Sequence, residues 1–256
     1  MSAPGTLTVV GLGPGDPRWL TPAAAQALAE ATDLVGYGPY LDRAPPQLGQ
    51  RRHASDNRVE LERARFALEL AAQGHRVTVV SGGDPGVFAM AAAVFEALES
   101  GDPAWRTVPI TVEPGVTAML AAAARVGAPL GGDFCALSLS DNLKPWAVVE
   151  RRLQAALAAD FVIAFYNPIS SARPWQLGAA LEIAATVRSP DTPVMFARAI
   201  GRADEAITVA RLSAAGGVAA DMATLVIIGA STTCLVPRPD GGAPYVYTPR
   251  RYETRP

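Results

Sequence analysis

Residues 7–16 read Leu-Thr-Val-Val-Gly-Leu-Gly-Pro-Gly-Asp, and they set the expected fold of the chain. The apolar run from Leu7 to Val10 predicts a buried β-strand, which stops in a turn with glycine at three alternate positions. Glycine adopts backbone angles that other residues avoid, and its missing side chain lets a ligand approach the main chain closely. In α/β proteins, ligands bind at the carboxyl ends of the strands, so this turn is the first candidate for a cofactor site.

The turn fails the test for a dinucleotide-binding motif. That motif is Gly-x-Gly-x-x-Gly, whereas Asp16 stands here at the third glycine position and Pro14 removes an amide that could meet a phosphate. Asp33 follows at about the 20-residue distance expected of a ribose-binding acid. It lies at the start of its predicted strand, 33–37, whereas a ribose-binding acid lies at the far end of its strand. We therefore interpret Asp33 as a turn residue, and the broken motif disfavours a nicotinamide oxidoreductase.

The composition excludes several classes of protein. Half of the 256 residues are hydrophobic, 18% are charged, and the net charge of −2 leaves no basic surface for nucleic acid. No apolar run reaches the roughly 18 residues of a membrane span, and the first residues lack the pattern of a signal peptide. Two distant cysteines favour a reducing cytoplasm over a disulfide framework. With two histidines and no His/Cys/carboxylate cluster, the sequence predicts no metal site.

Strand and helix patterns alternate in the first half of the chain, which predicts a parallel sheet with helices on both faces. Three strands end in Gly/Pro turns, at residues 11–16, 81–86 and 113–118, which we expect to gather at one edge of the sheet. Fewer helices separate the strand runs of the second half, which predicts a mixed sheet, and hence two α/β domains, 1–115 and 116–256. The predicted strands are 7–10, 33–37, 77–80, 108–112, 134–140, 161–166, 194–197, 206–210 and 224–228, and the predicted helices are 22–31, 57–73, 87–98, 146–157 and 174–186.

The segments between these elements carry their own signals. Thr21 is the expected N-cap of the first helix, and Asn57 with Glu60 has the pattern of a capping box for the second. Residues 38–56 form a loop long enough to be a functional lid. Residues 127–132 indicate a linker or broad turn, and 237–256 indicate an extended tail on the surface.

The three turns together carry a family resemblance. Gly-Leu-Gly-Pro-Gly-Asp (11–16), Gly-Gly-Asp-Pro (82–85) and Glu-Pro-Gly-Val-Thr-Ala (113–118), in this order and spacing, resemble the tetrapyrrole methyltransferases of cobalamin and siroheme synthesis. The resemblance covers nearly the whole chain. It implies the class III methyltransferase fold: two α/β domains, parallel and mixed, that hold S-adenosylmethionine in a trough between them, usually in a homodimer with a tetrapyrrole substrate.

Further motifs narrow the resemblance to one branch of the family. The most discriminating are Leu-Ser-Asp-Asn-Leu-Lys-Pro-Trp (139–146) and Phe-Tyr-Asn-Pro-Ile-Ser (165–170), supported by 35–41, 221–229 and 247–252. They resemble the enzymes that methylate precorrin-3B at carbon 17 and contract the ring to give precorrin-4 in aerobic cobalamin synthesis. The segment 232–236 departs from the pattern, because relatives often carry an arginine there, which puts one substrate contact in doubt.

The resemblance implies a set of residues that contact S-adenosylmethionine. For Asp84 the alternative is a turn former before Pro85, and the neighbouring Asp16 is equally open to a structural interpretation. Asn167 stands where the siroheme branch often has methionine, so its contact is expected to be polar. The implied cofactor residues are Pro14, Gly82, Gly83, Asp84, Val87, Thr117, Ala118, Asn167, Gly201 and Thr224.

Methyl transfer is an in-line displacement that depends on positioning and exclusion of water more than on a strong base. The implied ring contraction also moves a proton, and the candidates are Asp141, Ser140 and the tyrosines Tyr37 and Tyr40, each of which also suits a cap, turn or packing role. Arginines suit the carboxylates of a tetrapyrrole. The candidates among them, most of which also fit a solvated surface role, are Arg43, Arg51, Arg52, Arg173 and Arg202.

Other functions remain open at this point. One is a family member acting on another precorrin, a cobalt-precorrin or a non-tetrapyrrole. Another is a non-catalytic protein that binds S-adenosylmethionine or a tetrapyrrole without turnover.

Overall fold

The computed structural model describes residues 4–56 and 59–251. Two residues used above, Asn57 of the expected capping box and Tyr252 of the last motif, lie outside these ranges. The chain divides into two compact units, Met1–Ala118 and Met119–Pro256. Within the described ranges, no helix combines the length and apolar character needed to cross a bilayer.

The described part of the first unit is built on five parallel strands in the order β3-β2-β4-β1-β5. Neighbouring side chains on each strand point to opposite faces. Val9 therefore packs into one apolar cluster with Leu68 and Val94, while Val10 packs into another with Leu28 and Leu41. The sheet is covered on both faces, as the alternating pattern predicted. The strands are β1 Thr6–Gly11, β2 Asp33–Tyr37, β3 Arg51–Ser55, β4 Arg76–Ser81 and β5 Ile110–Glu113.

The helices of this unit confirm most predicted positions. The Thr21 hydroxyl accepts a hydrogen bond from the Ala24 amide at 3.2 Å and caps the first helix as expected. The helix after β4 begins at Met90 and not at Val87, because Phe88 has a positive φ of 52° that no α-helix accommodates. The helices are α1 Pro22–Glu30, α2 Gly38–Leu41, α3 Glu60–Ala72 and α4 Met90–Ser100, with 3-10 turns at Pro17–Trp19 and Pro103–Thr107.

Two interpretations of this half were wrong. The loop expected over 38–56 contains α2 and the edge strand β3, whose sequence Arg-Arg-His-Ala-Ser lacks the apolar alternation of a strand. Asp33 is not a turn residue but the first residue of β2, with its side chain completely buried. It lies at the amino end of its strand, so the argument against a ribose-binding role holds.

The second unit contains a mixed sheet in the order β10-β9-β11-β8-β7, as predicted. β7 and β8 are parallel, whereas β11 runs antiparallel to both β8 and β9. Its core gathers Phe165, Leu153 and Leu181 between sheet and helices. The strands are β6 Gly127–Ala128, β7 Phe134–Ser138, β8 Val162–Tyr166, β9 Pro193–Arg198, β10 Ala206–Arg211, β11 Thr224–Ile228, β12 Cys234–Val236 and β13 Tyr245–Tyr247.

Three features of this half differ from expectation. The helix α5 was not predicted. The expected linker contains β6 and the expected tail contains β13, and these two strands pair in parallel. β13 also pairs antiparallel with β12. Val246 is fully buried, so this part of the tail contributes to a core and is not a surface extension. The helices are α5 Ala118–Val126, α6 Trp146–Ala158, α7 Gln176–Ala185 and α8 Leu212–Ala215.

Candidate functional site

The three glycine turns of the first unit meet at the carboxyl edge of its sheet. Gly13 and Gly83 exchange two backbone hydrogen bonds, of 3.1 and 3.0 Å. A Cβ built on Gly11 would lie 2.5 Å from the Gly83 carbonyl oxygen, and one on Gly115 would collide with the same atom. Gly13 and Gly83 also have positive φ angles of 69° and 66°, which side chains disfavour. The turns therefore form one closely packed backbone surface that only glycine permits.

Asp84 ties the second turn to the third. Its Oδ1 accepts a hydrogen bond from the Gly86 amide at 2.8 Å, and its Oδ2 accepts one from the Gly115 amide at 3.0 Å. Both carboxylate oxygens thus have a structural use, and each keeps a second lone pair for another donor. The turn-forming and ligand-binding interpretations of Asp84 are compatible.

Asp16 and Pro14 have different surroundings. Asp16 caps the 3-10 turn Pro17–Trp19, with its Oδ1 accepting from the Arg18 amide at 2.9 Å, and it pairs with the Arg18 guanidinium. The hydrogen bond that the Arg18 guanidinium donates to Asp16 raises the pKa of Arg18. These contacts give Asp16 the structural role that the sequence left open, whereas Pro14 is half-buried next to the Gly13–Gly83 contact.

Other predicted residues lie against the same backbone surface. The Tyr40 ring packs on Gly82, where an added Cβ would lie 2.7 Å from the ring carbon that bears the hydroxyl. Tyr37 meets the Tyr40 ring edge-on at 5.4 Å. Thr117 is buried, and the backbones of Thr117 and Ala118 lie about 4 Å from the position that a Gly83 side chain would take. Val87 is half-buried just beyond Asp84.

In the second unit, Asn167, Gly201 and Thr224 share one sheet edge. Asn167 follows β8, Gly201 follows β9, and Thr224 begins β11, which runs antiparallel to both strands. Asn167 has a positive φ of 50°, and its Nδ2 donates to the Ser138 hydroxyl at 3.1 Å. The Gly201 amide donates to Glu205 Oε2 at 2.7 Å, so Gly201 is bound within its own loop.

Thr224 belongs to an ordered network at this edge. Its hydroxyl donates to Asp221 Oδ1 at 2.9 Å, and Arg198 pairs with both Asp221 and Asp204. Burial acts to raise the pKa of Asp221, but hydrogen bonds from Arg198 and Thr224 outweigh it, and the pKa is lowered. The hydrogen bond from Arg198 also lowers the pKa of Asp204.

Asp141 and Ser140 lie in the loop after β7. Asp141 Oδ2 accepts a hydrogen bond from Gln176 Nε2 at 3.2 Å, and its Oδ1 lies 4.0 Å from Arg173 Nε. The Ser140 carbonyl accepts from Lys144 Nζ at 3.2 Å. Sequence reasoning missed Gln176, the first residue of α7, because its partner Asp141 lies 35 positions earlier in the chain.

The candidate arginines separate into different environments. Arg43 donates to the Gly13 carbonyl at 2.8 Å and so supports the first turn. Arg52 donates to the carbonyls of Leu41, Ala44 and Pro45. Arg202 is exposed, Arg51 pairs with Asp33 at the opposite end of the first sheet, and Arg173 is buried beside Asp141.

Asp33 forms a second polar cluster, which the sequence did not reveal. Its two oxygens receive hydrogen bonds from Thr32 and Arg51 at 2.8 Å and contact His53 at 2.8 Å and His75 at 3.1 Å. Burial acts to raise the pKa of Asp33, but hydrogen bonds from Arg51, His53 and Thr32 outweigh it and lower the pKa to about 2. The cluster joins β2, β3 and the start of β4 at the amino edge of the sheet, away from the glycine turns.

Comparison with known proteins identifies this arrangement. The profile of the Tetrapyrrole (Corrin/Porphyrin) Methylases matches residues 6–216, which include all three glycine turns. The chain belongs to the tetrapyrrole methylases. It is 59% identical to a precorrin-3B C(17)-methyltransferase from a Sinorhizobium species, over 97% of both chains.

Solved structures of tetrapyrrole methylases have the same fold. The crystal structure of the methyltransferase CobJ superposes with a TM-score of 0.89 at 52% identity, covering 96% of this chain and 100% of that one. The uroporphyrin-III C-methyltransferase of Thermus thermophilus, solved with S-adenosylhomocysteine, superposes with a TM-score of 0.66 at 25% identity, covering 88% and 97%.

Proposed function

We propose that this protein transfers a methyl group from S-adenosylmethionine to carbon 17 of precorrin-3B, with contraction of the ring to precorrin-4, in aerobic cobalamin synthesis. The observation that carries the proposal is the 59% identity to the Sinorhizobium precorrin-3B C(17)-methyltransferase over 97% of both chains. The motifs at 139–146 and 165–170, which resemble this branch of the family, support it further.

The backbone surface of the glycine turns fits S-adenosylmethionine. The nearest atoms to a side chain built on Gly83 would be Thr117 Cα at 3.9 Å and the Ala118 amide nitrogen at 4.0 Å, so a ligand can approach the main chain there. Asp84 is the only acid in the second turn, 81–86, and supplies a negative charge there. When bound, S-adenosylmethionine supplies an electrophilic methyl group on a positively charged sulfur.

We assign the cofactor to the residues that the resemblance implies in both units. In the first unit, Pro14, Gly82, Gly83, Asp84, Val87, Thr117 and Ala118 would hold it, and the contacts among the three turns would fix their backbones in advance. Such preorganisation lowers the entropic cost of binding and keeps the reacting groups aligned. In the second unit, Asn167, Gly201 and Thr224 would complete the set.

Asp141 is the strongest candidate for the proton carrier of the ring contraction. Gln176 orients one oxygen of Asp141, and the Asp141 side chain is 28% exposed to solvent. The carboxylate is therefore both held in place and accessible to a substrate. Ser140, whose hydroxyl accepts from the Asn142 amide at 3.5 Å, and Tyr40, against Gly82, are the alternatives. Asp141→Asn separates Asp141 from the two alternatives, because it keeps an oxygen acceptor for Gln176 but removes the carboxylate.

Two measurements test the function. S-adenosylhomocysteine is expected to raise the melting temperature, whereas NAD(P) is not, and the absence of any response to S-adenosylhomocysteine would refute the proposal. Incubation with precorrin-3B and labelled S-adenosylmethionine, followed by mass spectrometry, is expected to give a labelled, ring-contracted product. Parallel incubations use another precorrin and a cobalt-containing substrate. Label incorporated only into one of these would replace precorrin-3B as the assigned substrate. Label incorporated into no substrate would rule out catalysis.

We also propose that the protein is a cytoplasmic homodimer. The family resemblance supports the dimer, and the two free cysteines, Cys135 and Cys234, are compatible with a reducing compartment. Light scattering coupled to gel filtration tests the first point, with a monomeric mass as the contrary result. Fractionation of the native cells tests the second.

A further inference from the structure

Ser170 and Arg173 face each other across a tight turn after β8. The Ser170 amide donates to the Arg173 carbonyl at 3.0 Å, and the Arg173 amide donates to the Ser170 carbonyl at 2.9 Å. Residues that exchange both hydrogen bonds in this way project their side chains to the same side. The turn therefore fixes a hydroxyl and a guanidinium next to each other.

Several side-chain polar atoms of this turn and of Gln176 are buried without a hydrogen-bond partner. Ser170, Arg173 and Gln176 are exposed by only 8%, 8% and 1%. Within the described part of the chain, Ser170 Oγ, Arg173 Nε and Nη1, and Gln176 Oε1 have no hydrogen-bond partner. A buried polar group without a partner costs roughly 1–3 kcal/mol, and more when charged. The three atoms among them that can donate, Ser170 Oγ and Arg173 Nε and Nη1, therefore call for a ligand that accepts their hydrogen bonds.

Asp141 does not fill this role. Its Oδ1 lies 4.0 Å from Arg173 Nε, beyond hydrogen-bond distance, while its Oδ2 is used by Gln176. Lys144 adds a second cation nearby: burial and Arg152 lower its pKa, and Asp141 acts in the opposite direction. Three cations, Arg173, Lys144 and Arg152, therefore lie near one carboxylate, and donors outnumber acceptors among the unused atoms, which favours an anionic ligand with oxygen acceptors.

We propose that Ser170 and Arg173 bind one side-chain carboxylate of the tetrapyrrole, an acetate or a propionate arm. The inference rests on the proposed function and assigns a substrate contact within it. Arg173 supplies charged donors and Ser170 a neutral one, a combination that suits a carboxylate. About a tenth of the Arg173 side chain remains exposed, which gives the arm a point of entry.

An aromatic pair lies close to these residues along the chain. Trp146 and Trp175 meet edge-on, with their ring centroids 4.9 Å apart, and Trp175 is 48% exposed. Trp175 lies two residues beyond Arg173, and Trp146 ends the same motif that contains Asp141. An exposed indole offers apolar surface to a flat macrocycle whose carboxylate is held nearby. It also provides a fluorescence signal for binding.

The test compares variants at the turn with a control arginine. Binding of precorrin-3B without cofactor is followed by tryptophan quenching, and KM and kcat are measured with S-adenosylmethionine. Arg173→Met is expected to raise Kd and KM by at least about tenfold, and Ser170→Ala by about threefold, because a charged donor contributes more than a neutral one. Arg173→Lys keeps the charge and should recover part of the loss. Arg151→Met, which removes an exposed arginine of α6, should leave both values within about twofold.

A second readout separates substrate contact from structural support. Calorimetric affinity for S-adenosylhomocysteine should be the same in all four variants. Unchanged Kd and KM in Arg173→Met, or an equal loss of affinity for S-adenosylhomocysteine and substrate, would overturn the inference. If Arg173→Met does not fold, Ser170→Ala and Arg173→Lys decide by the same criteria. Wild-type protein that binds S-adenosylhomocysteine but neither binds nor methylates precorrin-3B would instead overturn the proposed function.

Discussion

Two buried charged clusters, one in each unit, are built in opposite ways. Around Asp33, two histidines, an arginine and a threonine converge on one carboxylate, and both oxygens are fully used. Around Arg173, the guanidinium and its neighbours are equally buried but leave four polar atoms unused. A closed cluster stabilises the fold by itself, whereas an open one costs stability until something else completes it. The number of unused polar atoms thus distinguishes a buried charged residue that supports the fold from one that binds a ligand, without reference to sequence motifs.

The largest expected effect is the loss of stability on breaking the closed cluster. Asp33→Asn removes the buried carboxylate on which Arg51 and two histidines converge, which should lower the free energy of unfolding by about 2 kcal/mol. Urea unfolding measures it. Asp191→Asn is the matched control, because the Asp191–Arg211 pair is 69% and 68% exposed and should change stability by less than about 0.5 kcal/mol. Equal effects in the two variants would contradict the structural role of Asp33.

The same cluster predicts a pH dependence. The pKa of Asp33 is lowered from 3.8 to about 2 in the folded protein. Its contribution to stability is therefore fully present above the unfolded pKa and is lost as the pH falls through the folded pKa. The difference in unfolding free energy between wild type and Asp33→Asn should therefore shrink as the pH falls from about 4 to about 2. If this difference in unfolding free energy stays constant down to pH 2, the charge of the Asp33 carboxylate does not contribute to stability.

Asp84 lies between the two cases, because its oxygens are both used but it borders the candidate cofactor surface. Asp84→Ala removes the acceptor of the Gly115 amide and should weaken binding of S-adenosylhomocysteine at least several-fold in calorimetry. Asp102→Ala is the control, since Asp102 accepts from the amide two residues on, as Asp84 does, but caps the 3-10 turn Pro103–Thr107. Unchanged affinity in Asp84→Ala would leave Asp84 with its turn-forming role alone.

The smallest expected effect is the change in the free energy of unfolding when the open cluster around Arg173 is altered. Whether this change is positive or negative decides the interpretation. Arg173→Met removes unused buried donors and a buried charge, so the free energy of unfolding should stay the same or rise by up to about 1 kcal/mol. The variant is compared with Asp33→Asn under the same urea conditions. A loss of stability as large as that of Asp33→Asn would mean that Arg173 is a structural partner of Asp141 and that the contrast fails.

Sequence patterns predicted the first sheet and its glycine turns because apolar runs and glycine spacing are local signals. β3 was missed since an edge strand with the sequence Arg-Arg-His-Ala-Ser buries too little to show alternation. α5 was missed although its residues, Ala-Met-Leu-Ala-Ala-Ala-Ala-Arg-Val, are mostly strong helix formers, so a local signal for it was present. Of the two missed elements, only β3 has a conformation decided by tertiary packing.

The candidate site divides in the same way. The glycines and Asp84 could be named in advance, because their turns are encoded in consecutive residues. The grouping of Asp141, Arg173 and Gln176 could not, since it depends on the parallel register of β7 and β8, which brings the loops that follow them together. Asp33 was misread for a related reason: its partners come from β3 and from the residue before β4.

The contact between Gly11, Gly83 and Gly115 has a consequence for how the sequence can evolve. A methyl group at position 11 or at position 115 would press on the same carbonyl oxygen, that of Gly83, although the two positions are about a hundred residues apart in the chain. Whichever substitution comes second acts on a turn that the first has already displaced. Their costs should therefore not add, and a double-mutant cycle of Gly11→Ala and Gly115→Ala should give an interaction free energy of about 0.5–3 kcal/mol. The three glycines form one unit of epistasis, and change at any of them is constrained by the other two.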